Sequence, residues 1–484
     1  MQDTILVLCR NIRLSGLIAR TLRCREVLCL PVPFDTPFEQ MMALSPKGVI
    51  LAVEKAETGA LDGLDPALLS GSVPVLALGG AAALLCVHFG GSASEATAER
   101  AFVTLGLLDE TLFCQIDSGE QMLGAFAELT LPKTLVPIAT ATERVIGFRH
   151  ASLPLYAMQH PIERNDPDAA QLLYNFACGI CGAQASWTDE TIISQAVERI
   201  RLSAPEGRVL CAVSGGVDSA VCARLASMAV GDRLMCVFVD TGLFRHNEPQ
   251  EVIRTYMESM GLVVAHVEAS ETFLRALSGV SSPADKERIA SQLMAQVIVR
   301  QLGYDPEIRT IVMGTNFNDT LFGFAPGSAE KDHPAEGVAA CEPIRDLFKE
   351  EVRRLAETLR LPPEITGRQP FPSSGLALRV MSSVSEKKLS ILRTVDAIFT
   401  GEILEGGYDR RLWQYYATLV ESPDDPDGYA VCLRATQAAQ GGAMAARIPF
   451  DVLERVTERI RAEVPGISRV VYDLTPSAHY GELE

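Results

Sequence analysis

The hexapeptide SGGVDS at residues 214–219 has the residue types and the spacing of a phosphate-binding loop. Its two consecutive glycines allow a tight turn and a close approach of backbone N–H groups to an anion. The hydroxyls of Ser214 and Ser219 supply further donors, and a helix that follows the loop adds its partial positive charge. Asp218 would repel a phosphate unless Mg²⁺ bridged the two groups. The hexapeptide therefore predicts a site for ATP with bound Mg²⁺.

The elements on either side of the hexapeptide are those that such a loop needs. The apolar run RVLCAV at 208–213 predicts a strand directly before the turn, and SAVCARLASMAV at 219–230 predicts a helix directly after it. The segment has neither the Gly-Lys-Thr of a Walker loop nor the spacing of the dinucleotide fingerprint. A glycine-rich strand-to-helix turn without a ligand remains the alternative interpretation.

Short apolar strands alternate with helical stretches along most of the chain, which predicts an α/β fold in three parts. Residues 1–188 form the first α/β part. Residues 189–380 begin with an amphipathic helix and continue as a doubly wound sheet of parallel strands, one of them LMCVFVD at 234–240. Residues 381–484 form a smaller part, with a helix expected at 450–463.

Composition and charge exclude several classes of partner. With 61 acidic and 43 basic residues among 484, the formal charge is −18, which argues against nucleic acid. The first residues show neither the basic segment nor the cleavage site of a signal peptide, so we expect a cytoplasmic protein. The apolar run at 73–89 is interrupted by Pro74 and by two glycines, which predicts a strand, a turn and a buried helix instead of a membrane span.

The hexapeptide also resembles the loop of the ATP pyrophosphatase family, whose members split ATP into AMP and pyrophosphate while they adenylate a substrate oxygen. Longer segments resemble the GMP synthetase family, namely CVFVDTGLFRHNE (236–248), EPIRDLFKEEVRRLAETLRLP (342–362) and RQPFPSSGLALRV (368–380). The similarity runs over essentially the whole chain in unbroken order. It implies a class I glutaminase-like α/β domain, an ATP pyrophosphatase domain of the adenine nucleotide alpha hydrolase-like type, and a small α+β domain that forms a homodimer.

The same resemblance assigns roles to residues around the hexapeptide. It implies ATP and Mg²⁺ as cofactors, with Asp218 and Asp319 as metal ligands. Lys331 lies in the segment that corresponds to a mobile lid, where it would neutralise charge on the leaving pyrophosphate. Asp218, Asp319 and Lys331 are the implied catalytic residues. The implied nucleotide-binding residues are Ser214, Gly215, Gly216, Val217, Asp218, Ser219, Val239 and Gly314.

The first part of the chain departs from the family at the positions that would hydrolyse glutamine. Where the family has a cysteine nucleophile on a strand-to-helix turn, this chain has Gly79, and a glycine cannot attack an amide. The oxyanion loop is replaced by the segment 52–55, whose Glu54 would oppose a developing negative charge. His160 and Glu163 are retained with their spacing shifted by one residue. We therefore expect no glutaminase activity, and ammonia that arrives from solution or from a separate donor protein.

The acceptor side departs from the family as well. The family's Pro-Gly-Pro-Gly-Leu loop reads PSSGL at 372–376 here, and the C-terminal segment lacks the lysine and threonine that the family places on the substrate phosphate. These losses remove charge-assisted hydrogen bonds, so we do not expect an unchanged xanthosine monophosphate site. The alternative is that the C-terminal segment has diverged in sequence while Arg379 and Arg434 still bind the substrate. The residues still assigned to the substrate are Arg379, Arg434, Gln437, Ser373 and Ser374.

The sequence thus predicts an ATP-dependent ligase that adenylates a carbonyl oxygen of a purine-like small molecule related to xanthosine monophosphate. Ammonia then displaces AMP. Two alternatives stay open. In the first, a sulfur donor supplies the nucleophile by the same adenylation chemistry, and Cys341 is the nearest candidate for a persulfide thiol. In the second, the chain is a non-catalytic paralogue that binds ATP and regulates a partner.

Overall fold

The computed structural model describes residues 2–57, 59–94, 101–123, 126–159, 162–163, 166–321, 337–369, 371–372, 374–422, 425, 428–439 and 442–475. Three predicted site residues, His160, Lys331 and Ser373, lie outside these ranges. By its contacts the chain divides into two compact units, Met1–Ile192 and Ile193–Glu484. The predicted boundaries of three parts, at 188 and at 380, stay predictions.

The first unit is built on one large mixed sheet. The strands of the unit are β1 (Thr4–Leu8), β2 (Leu28–Val32), β3 (Gly48–Val53), β4 (Val75–Gly79), β5 (Ser92–Ala93), β6 (Ala101–Leu107), β7 (Glu120–Leu123), β8 (Leu129–Thr130), β9 (Leu135–Ala141), β10 (Arg144–His150) and β11 (Leu155–Met158). Strands β5 and β8 pair with each other in a separate two-stranded sheet. The helices of the unit are α1 (Ile12–Arg23), α2 (Phe38–Ala43), α3 (Gly80–His88) and α4 (Pro167–Tyr174), and α5 (Asp189–Ser203) begins at its end. Within the described residues the sheet has nine strands in the order β2-β1-β3-β4-β11-β10-β9-β6-β7.

The order of the first strands creates a crevice between β1 and β3. Strands β2, β1, β3 and β4 are parallel, and every side chain of β1 is buried, as expected for a strand covered on both faces. From β1 the chain passes to β2 on one side and then returns to β3 on the other. The carboxyl ends of β1 and β3 therefore form a topological switch point, where open α/β sheets commonly bind ligands.

The second unit holds a parallel sheet and a smaller mixed sheet. Its strands are β12 (Arg208–Val213), β13 (Leu234–Asp240), β14 (Val264–Glu268), β15 (Ile308–Val312), β16 (Ala339–Cys341), β17 (Gln414–Glu421), β18 (Tyr429–Ala439), β19 (Gly442–Ala445) and β20 (Ile467–Tyr472). Its helices are α6 (Val217–Val230), α7 (Glu248–Arg254), α8 (Ser270–Leu277), α9 (Pro283–Tyr304), α10 (Phe317–Leu321), α11 (Lys349–Thr358), α12 (Pro363–Thr366), α13 (Glu386–Glu405) and α14 (Phe450–Glu463).

The parallel sheet places the hexapeptide at its centre. In the part of the chain that the structure describes, this sheet has the order β14-β13-β12-β15-β16, and each of its pairings is parallel. The loop that leaves β12 therefore lies at the middle of the carboxyl edge. The fold confirms the predicted α/β class with a doubly wound parallel sheet.

One hydrophobic core joins the two sheets of the second unit. Leu210 and Val237 of the parallel sheet belong to the same buried cluster as Phe399 of α13 and Leu433 of β18. Residues beyond 381 therefore pack on the same hydrophobic core as the parallel sheet that carries the hexapeptide. No described helix has the length and the apolar character that crossing a membrane requires.

Candidate active site

The hexapeptide forms a closed turn between β12 and α6. Gly215 has a φ of +80°, a backbone conformation that glycine adopts without a steric penalty. The Ser219 hydroxyl accepts the N–H of Ser214 at 3.2 Å and donates to the carbonyl of Gly216 at 3.0 Å. Ser219 is buried, and Tyr256 lies 3.4 Å from its hydroxyl. Ser219 thus ties the two ends of the loop together.

Arg368 lies across the outside of this turn. Its Nη1 donates to the carbonyl of Ser214 at 3.1 Å, and its Nη2 forms an ion pair with Glu248. A Cβ on Gly215 would lie 1.9 Å from Nη1 of Arg368 and 2.5 Å from a methyl group of Val252. Position 215 therefore requires glycine both for its backbone conformation and for the space around it.

Asp218, near the start of α6, is paired with a lysine from a distant part of the chain. Nζ of Lys349, the first residue of α11, lies 2.6 Å from Oδ2 of Asp218. Both side chains are largely buried, and both line a cavity of about 1120 Å³. A carboxylate and an ammonium group thus meet beside the phosphate loop.

This cavity has a polar end and an apolar wall. The polar end contains the loop, the Lys349–Asp218 pair, Arg353 and Arg368. The apolar wall consists of strand residues and of residues from one face of α9: Val237, Val239, Ile311, Met313, Met294 and Ile298. A planar apolar base and a charged phosphate chain have complementary surfaces at these two ends. The cavity is therefore suited to ATP. Val239 lines the cavity, and its contact with the nucleotide stays a prediction.

The predicted metal ligands differ in their surroundings. Asp218 presents a carboxylate to the cavity, which is a donor that Mg²⁺ prefers. Oδ2 of Asp319 accepts the N–H of Asn316 at 2.9 Å at the start of α10. Gly314, two residues before Asn316, lies against the start of α6, because a Cβ there would lie 3.1 Å from the backbone nitrogen of Ser219. Binding of Mg²⁺ by Asp218 would require its carboxylate to exchange Lys349 for the metal, so the metal-binding roles of Asp218 and Asp319 stay predictions.

The first of the two arginines predicted to bind substrate is enclosed in the interior. Arg379 is 2% exposed, stacks between Phe371 and Tyr416, and lies 3.5 Å from Asp396. Asp396 also pairs with Arg245 at 3.1 Å, so two guanidinium groups share one carboxylate. Because the Arg379 guanidinium is enclosed, a phosphate could contact it only after the surrounding side chains rearranged. The assignment of Arg379 to the substrate stays a prediction.

The second arginine, Arg434 of β18, is also held by a carboxylate. It is 5% exposed, and its Nη2 lies 2.7 Å from Oδ2 of Asp473. The same nitrogen donates to the carbonyl of Thr475 at 3.0 Å. The charge of Arg434 is therefore used within the second unit, and its role toward a substrate stays a prediction.

The other two described residues that were predicted to bind the substrate, Gln437 and Ser374, do not line the cavity. Gln437 lies two residues before the end of β18, half-buried and paired across the sheet with Met444 of β19. Ser374 is fully buried, and among the described residues its hydroxyl has no hydrogen-bond partner. The structure thus brings Ser374 and the two arginines into the interior of the second unit and not onto the cavity wall.

The first unit has a sharp strand-to-helix turn at Gly79, but neighbouring backbone fills the space that a side chain at this position would need. Gly79 ends β4 with φ +62° and ψ −129°, and α3 begins at the next residue. A Cβ on Gly79 would lie 2.6 Å from the carbonyl oxygen of Val53. The Glu54 carboxylate accepts a hydrogen bond from Nδ2 of Asn11 at 2.7 Å, and Glu163 is exposed. Backbone at the end of β3 therefore occupies the space that a side chain at 79 would need.

Cys341, the candidate thiol for sulfur chemistry, lies in β16 and is 3% exposed. Burial raises the pKa of its thiol, so the group is protonated at neutral pH. Among the described residues that line the cavity there is no cysteine. The structure offers no support for a sulfur carrier at this site.

Three charged residues that line the cavity were missed by the sequence reasoning: Lys349, Arg353 and Arg368. The spacing of Lys349 and Arg353 is a usable signal, because residues four apart on α11 lie on one face of the helix. Their segment follows β16, so the start of α11 lies at the carboxyl edge of the sheet. Nothing in the local sequence indicates that the guanidinium of Arg368 packs against Gly215.

The phosphate loop at the centre of a parallel sheet, beside an ATP-sized cavity, defines a nucleotide-binding α/β protein of the ATP pyrophosphatase class. The sequence model described as NAD synthase matches residues 190–410, and that of the GMP synthase C terminal domain matches residues 401–479. Two glutamine-hydrolyzing GMP synthases are similar over nearly their full length. That of Carboxydothermus hydrogenoformans is 33% identical, over 98% of each chain. That of Symbiobacterium thermophilum is 36% identical, over 98% of this chain and 97% of its own.

The chain belongs to the GMP synthase family, a family of ATP-dependent ligases. Among solved structures, the NMN synthetase of Francisella tularensis aligns with 39% of this chain and 77% of its own, with 19% identity and a TM-score of 0.32. The predicted family resemblance is confirmed by the relatives of full length.

Proposed function

We propose that this chain adenylates a carbonyl oxygen of a purine-like small molecule, related to xanthosine monophosphate, and joins that carbon to ammonia from outside its own first unit. The observation that carries the proposal is the Lys349–Asp218 pair beside the SGGVDS loop, at the polar end of a cavity of about 1120 Å³. The closed turn at Gly79 supports the external source of ammonia.

The residues of the cavity account for the first half-reaction. Backbone N–H groups of the loop and the start of α6 face the phosphates, and Arg353 offsets the charge that develops there. Lys349 and Arg368, which are paired with Asp218 and Glu248, would add to this after an exchange of partners. Asp218 would hold Mg²⁺, which when bound neutralises charge on the phosphates. The acceptor oxygen attacks the α-phosphorus of ATP, and the bond to the β-phosphate oxygen breaks. Pyrophosphate leaves, and the acceptor carries AMP.

The second half-reaction needs only a nucleophile and a good leaving group. Ammonia adds to the carbon that bears the adenylated oxygen, AMP departs with that oxygen, and the new amine loses a proton. The apolar wall formed by Val237 and Met313 helps to exclude water, which would otherwise hydrolyse the intermediate. The pH range for this step is set by the free base of ammonia, because ammonium has no lone pair to donate.

The acceptor is proposed to differ from the family's substrate in how its phosphate is recognised, or to lack that phosphate. Supporting this, Arg379 and Arg434 are engaged by Asp396 and Asp473. In the PSSGL loop the described hydroxyl, that of Ser374, is buried. A guanidinium that is buried and already paired with a carboxylate is less available to a phosphate.

A homodimer formed through residues beyond 381 is part of the proposal. Large apolar side chains are exposed on that part of the chain, among them Phe450 at 73% and Leu474 at 70%. Such exposure is typical of surfaces that associate.

A separate protein that donates ammonia is also part of the proposal, because the first unit has a glycine at the position predicted for the nucleophile.

The experiment is a pyrophosphate-release assay with Mg-ATP and ammonium, in which xanthosine monophosphate, xanthosine and xanthine are compared as acceptors. A second set replaces ammonium by glutamine, and Asp218→Asn serves as the inactive control. We expect release with ammonium and none with glutamine. Full turnover of the monophosphate would contradict the altered phosphate recognition, and turnover with glutamine would contradict the closed glutaminase site. Silence with every acceptor would favour the non-catalytic alternative.

A further inference from the structure

Three side chains with metal-ligating atoms come together where β13 and β14 end. Asp240 is the last residue of β13, and His266 and Glu268 lie in β14, which pairs with β13 in parallel. Each of the three residues offers one ligand atom, and these atoms all lie within 4.8 Å of one another. Glu268 is the register partner of Asp240, and His266 precedes Glu268 by two residues, so the three side chains share one face of the sheet. We call this group the strand-end cluster.

The strand-end cluster lies on the face of the sheet that is opposite to the cavity beside the phosphate loop. Val237 and Val239 line that cavity, and successive residues of a strand point to opposite faces. Asp240 therefore points away from the cavity, as does Phe238, whose ring centre lies 6.2 Å from that of His266. A ligand of the cluster would thus bind apart from the nucleotide.

Backbone and hydroxyl donors hold the two carboxylates of the cluster in place. The N–H of Gly242 donates to Oδ1 of Asp240 at 2.9 Å, and the N–H and the hydroxyl of Ser270 donate to Oε1 of Glu268. The two donor segments contact each other, since a Cβ on Gly242 would lie 2.6 Å from Cβ of Ser270. Arg393 of α13 donates to the carbonyl of Gly242 and so fixes the turn after β13. Hydrogen bonds of this kind orient the ligands of metal sites in proteins.

The ligand atoms have nearly the spacing of donors around one ion. Nε2 of His266 lies 3.8 Å from Oδ2 of Asp240, which is too far for a hydrogen bond. Two atoms that each lie about 2.0–2.2 Å from a tetrahedral zinc ion are about 3–4 Å apart. The side chain of His266 is 42% exposed and Glu268 is exposed, so both have room to adjust and an ion can enter from solvent.

The charges of the cluster favour a cation. Asp240 and Glu268 face each other across neighbouring strands, and like charges in directly opposite positions destabilise a sheet. The guanidinium of Arg393 lies nearby, but it donates to the carbonyls of Gly242 and Phe244. A divalent cation between the two carboxylates would remove their repulsion.

The donor set selects the class of metal. It combines one imidazole nitrogen with two carboxylate oxygens, and three protein ligands leave a fourth position for water, as in open zinc sites. Mg²⁺ and Ca²⁺ prefer six or more oxygen ligands, whereas imidazole is a ligand for Zn²⁺ and neighbouring transition metals. The cluster therefore matches a divalent ion of the Zn²⁺ type.

We propose that the strand-end cluster binds one divalent ion of the Zn²⁺ type through Asp240, His266 and Glu268. The ion connects the ends of β13 and β14, and in the described sheet β14 is an edge strand. Because a metal that binds only the folded chain stabilises it, Zn²⁺ raises the Tm. This site goes beyond the proposed ligase reaction, whose Mg²⁺ is assigned to Asp218 on the other face of the sheet.

The test is a titration of the full-length protein with Co²⁺, without ATP, followed by visible absorption, since Co²⁺ can replace Zn²⁺ and its spectrum reports the ligand types. The variants are His266→Ala and Glu268→Gln, whose side chains are exposed and not needed for the core. His246→Ala is the matched control, because His246 is an exposed histidine six residues beyond the end of β13 and outside the cluster. Zn²⁺ or Mg²⁺ is then added to the protein with bound Co²⁺.

We expect Co²⁺ bands typical of nitrogen and oxygen ligands, which an equal amount of Zn²⁺ removes and an equal amount of Mg²⁺ does not. Each cluster variant should weaken Co²⁺ binding by about tenfold or more, while the control binds as wild type does.

Absence of Co²⁺ bands, or unchanged affinity in either cluster variant, would overturn the site. A spectrum dominated by charge transfer from thiolates would place the ion on cysteines and overturn the site as well. Displacement by an equal amount of Mg²⁺ would overturn the class of metal. Since turnover is not measured, none of these outcomes bears on the ligase proposal.

Discussion

Nζ of Lys349 lies 2.6 Å from Oδ2 of Asp218, although the two residues are 131 positions apart in the chain. Lys349 opens α11 and Asp218 lies in the first turn of α6, so two helices meet at the polar end of the cavity. The contact supplies the phosphate loop with a cation that its own segment lacks. It also holds the Asp218 carboxylate at the cavity wall.

Replacing Lys349 by methionine leaves the carboxylate of Asp218 in a half-buried site without that cation. We expect the rate of ATP-dependent pyrophosphate release to fall about 100-fold or more, because one preorganised charge beside the reacting phosphates is lost. Steady-state kinetics measure this loss, with whichever acceptor supports pyrophosphate release in the assay proposed above. The control is Lys387→Met, since Lys387 is exposed on α13. Equal rates in the two variants would contradict a role for Lys349 in the reaction.

Gly215→Ala should remove ATP binding, whereas Gly231→Ala should retain it. Both glycines have positive φ, so both variants incur a backbone penalty of about 1–2 kcal/mol. Only at 215 would the new Cβ displace Arg368 from the carbonyl of Ser214, since nothing lies within 4 Å of a Cβ at 231. Titration with ATP measures the difference. A Gly215→Ala protein with unchanged affinity would show that Arg368 moves aside without consequence.

Restoring the missing thiol should not restore glutaminase activity. In Gly79→Cys the new Cβ would lie 2.6 Å from the carbonyl of Val53, so the turn must distort, and we expect a lower Tm and no release of glutamate from glutamine. Gly90→Cys is the matched control, because Gly90 also has positive φ but open space around a Cβ. The comparison uses calorimetry for stability and an assay for glutamate. Glutamate production by Gly79→Cys alone would contradict the closed site.

Lys286 should make stability depend on pH in the alkaline range. Its side chain is buried, and its ammonium donates to the carbonyls of Val380 and Ser382 at 2.6 and 2.8 Å. Burial, with the nearby charge of Lys388, lowers the pKa of Lys286 to about 8. The unfolded chain, with a pKa of about 10.4, binds the extra proton over the window between the two values. Stability from this group therefore rises with pH through that window.

The measurement compares the Tm of wild type with that of Lys286→Met from about pH 8 to about pH 10, where the linkage slope reaches at most about 1.4 kcal/mol per pH unit. Relative to the variant, wild type should gain stability as the pH increases. Lys387→Met, an exposed lysine on α13, provides the control and should show no such trend. A parallel pH dependence of wild type and Lys286→Met would contradict the lowered pKa.

Local pattern was sufficient for the elements that carry the loop. The strands at 208–213 and 234–240 and the helix at 450–463 have the predicted bounds, because each is a short apolar or amphipathic run with a clear period. The phosphate loop was found for a related reason. Its chemistry depends on six consecutive residues, and the turn needs little from the rest of the chain.

Contacts between distant segments were decided only by the tertiary structure. The pairing of Lys349 with Asp218 and the position of Arg368 over Gly215 join residues 131 and more positions apart, which no local period encodes. The enclosure of Arg379 beside Asp396 likewise depends on how α13 packs in the core. Sequence determined the loop and the prediction that Gly79 stands where a nucleophile is expected, because residue type alone carries both. Packing determined which charged groups face the cavity and which are neutralised in the interior, because the free energy of a buried charge depends on the partners that folding brings to it.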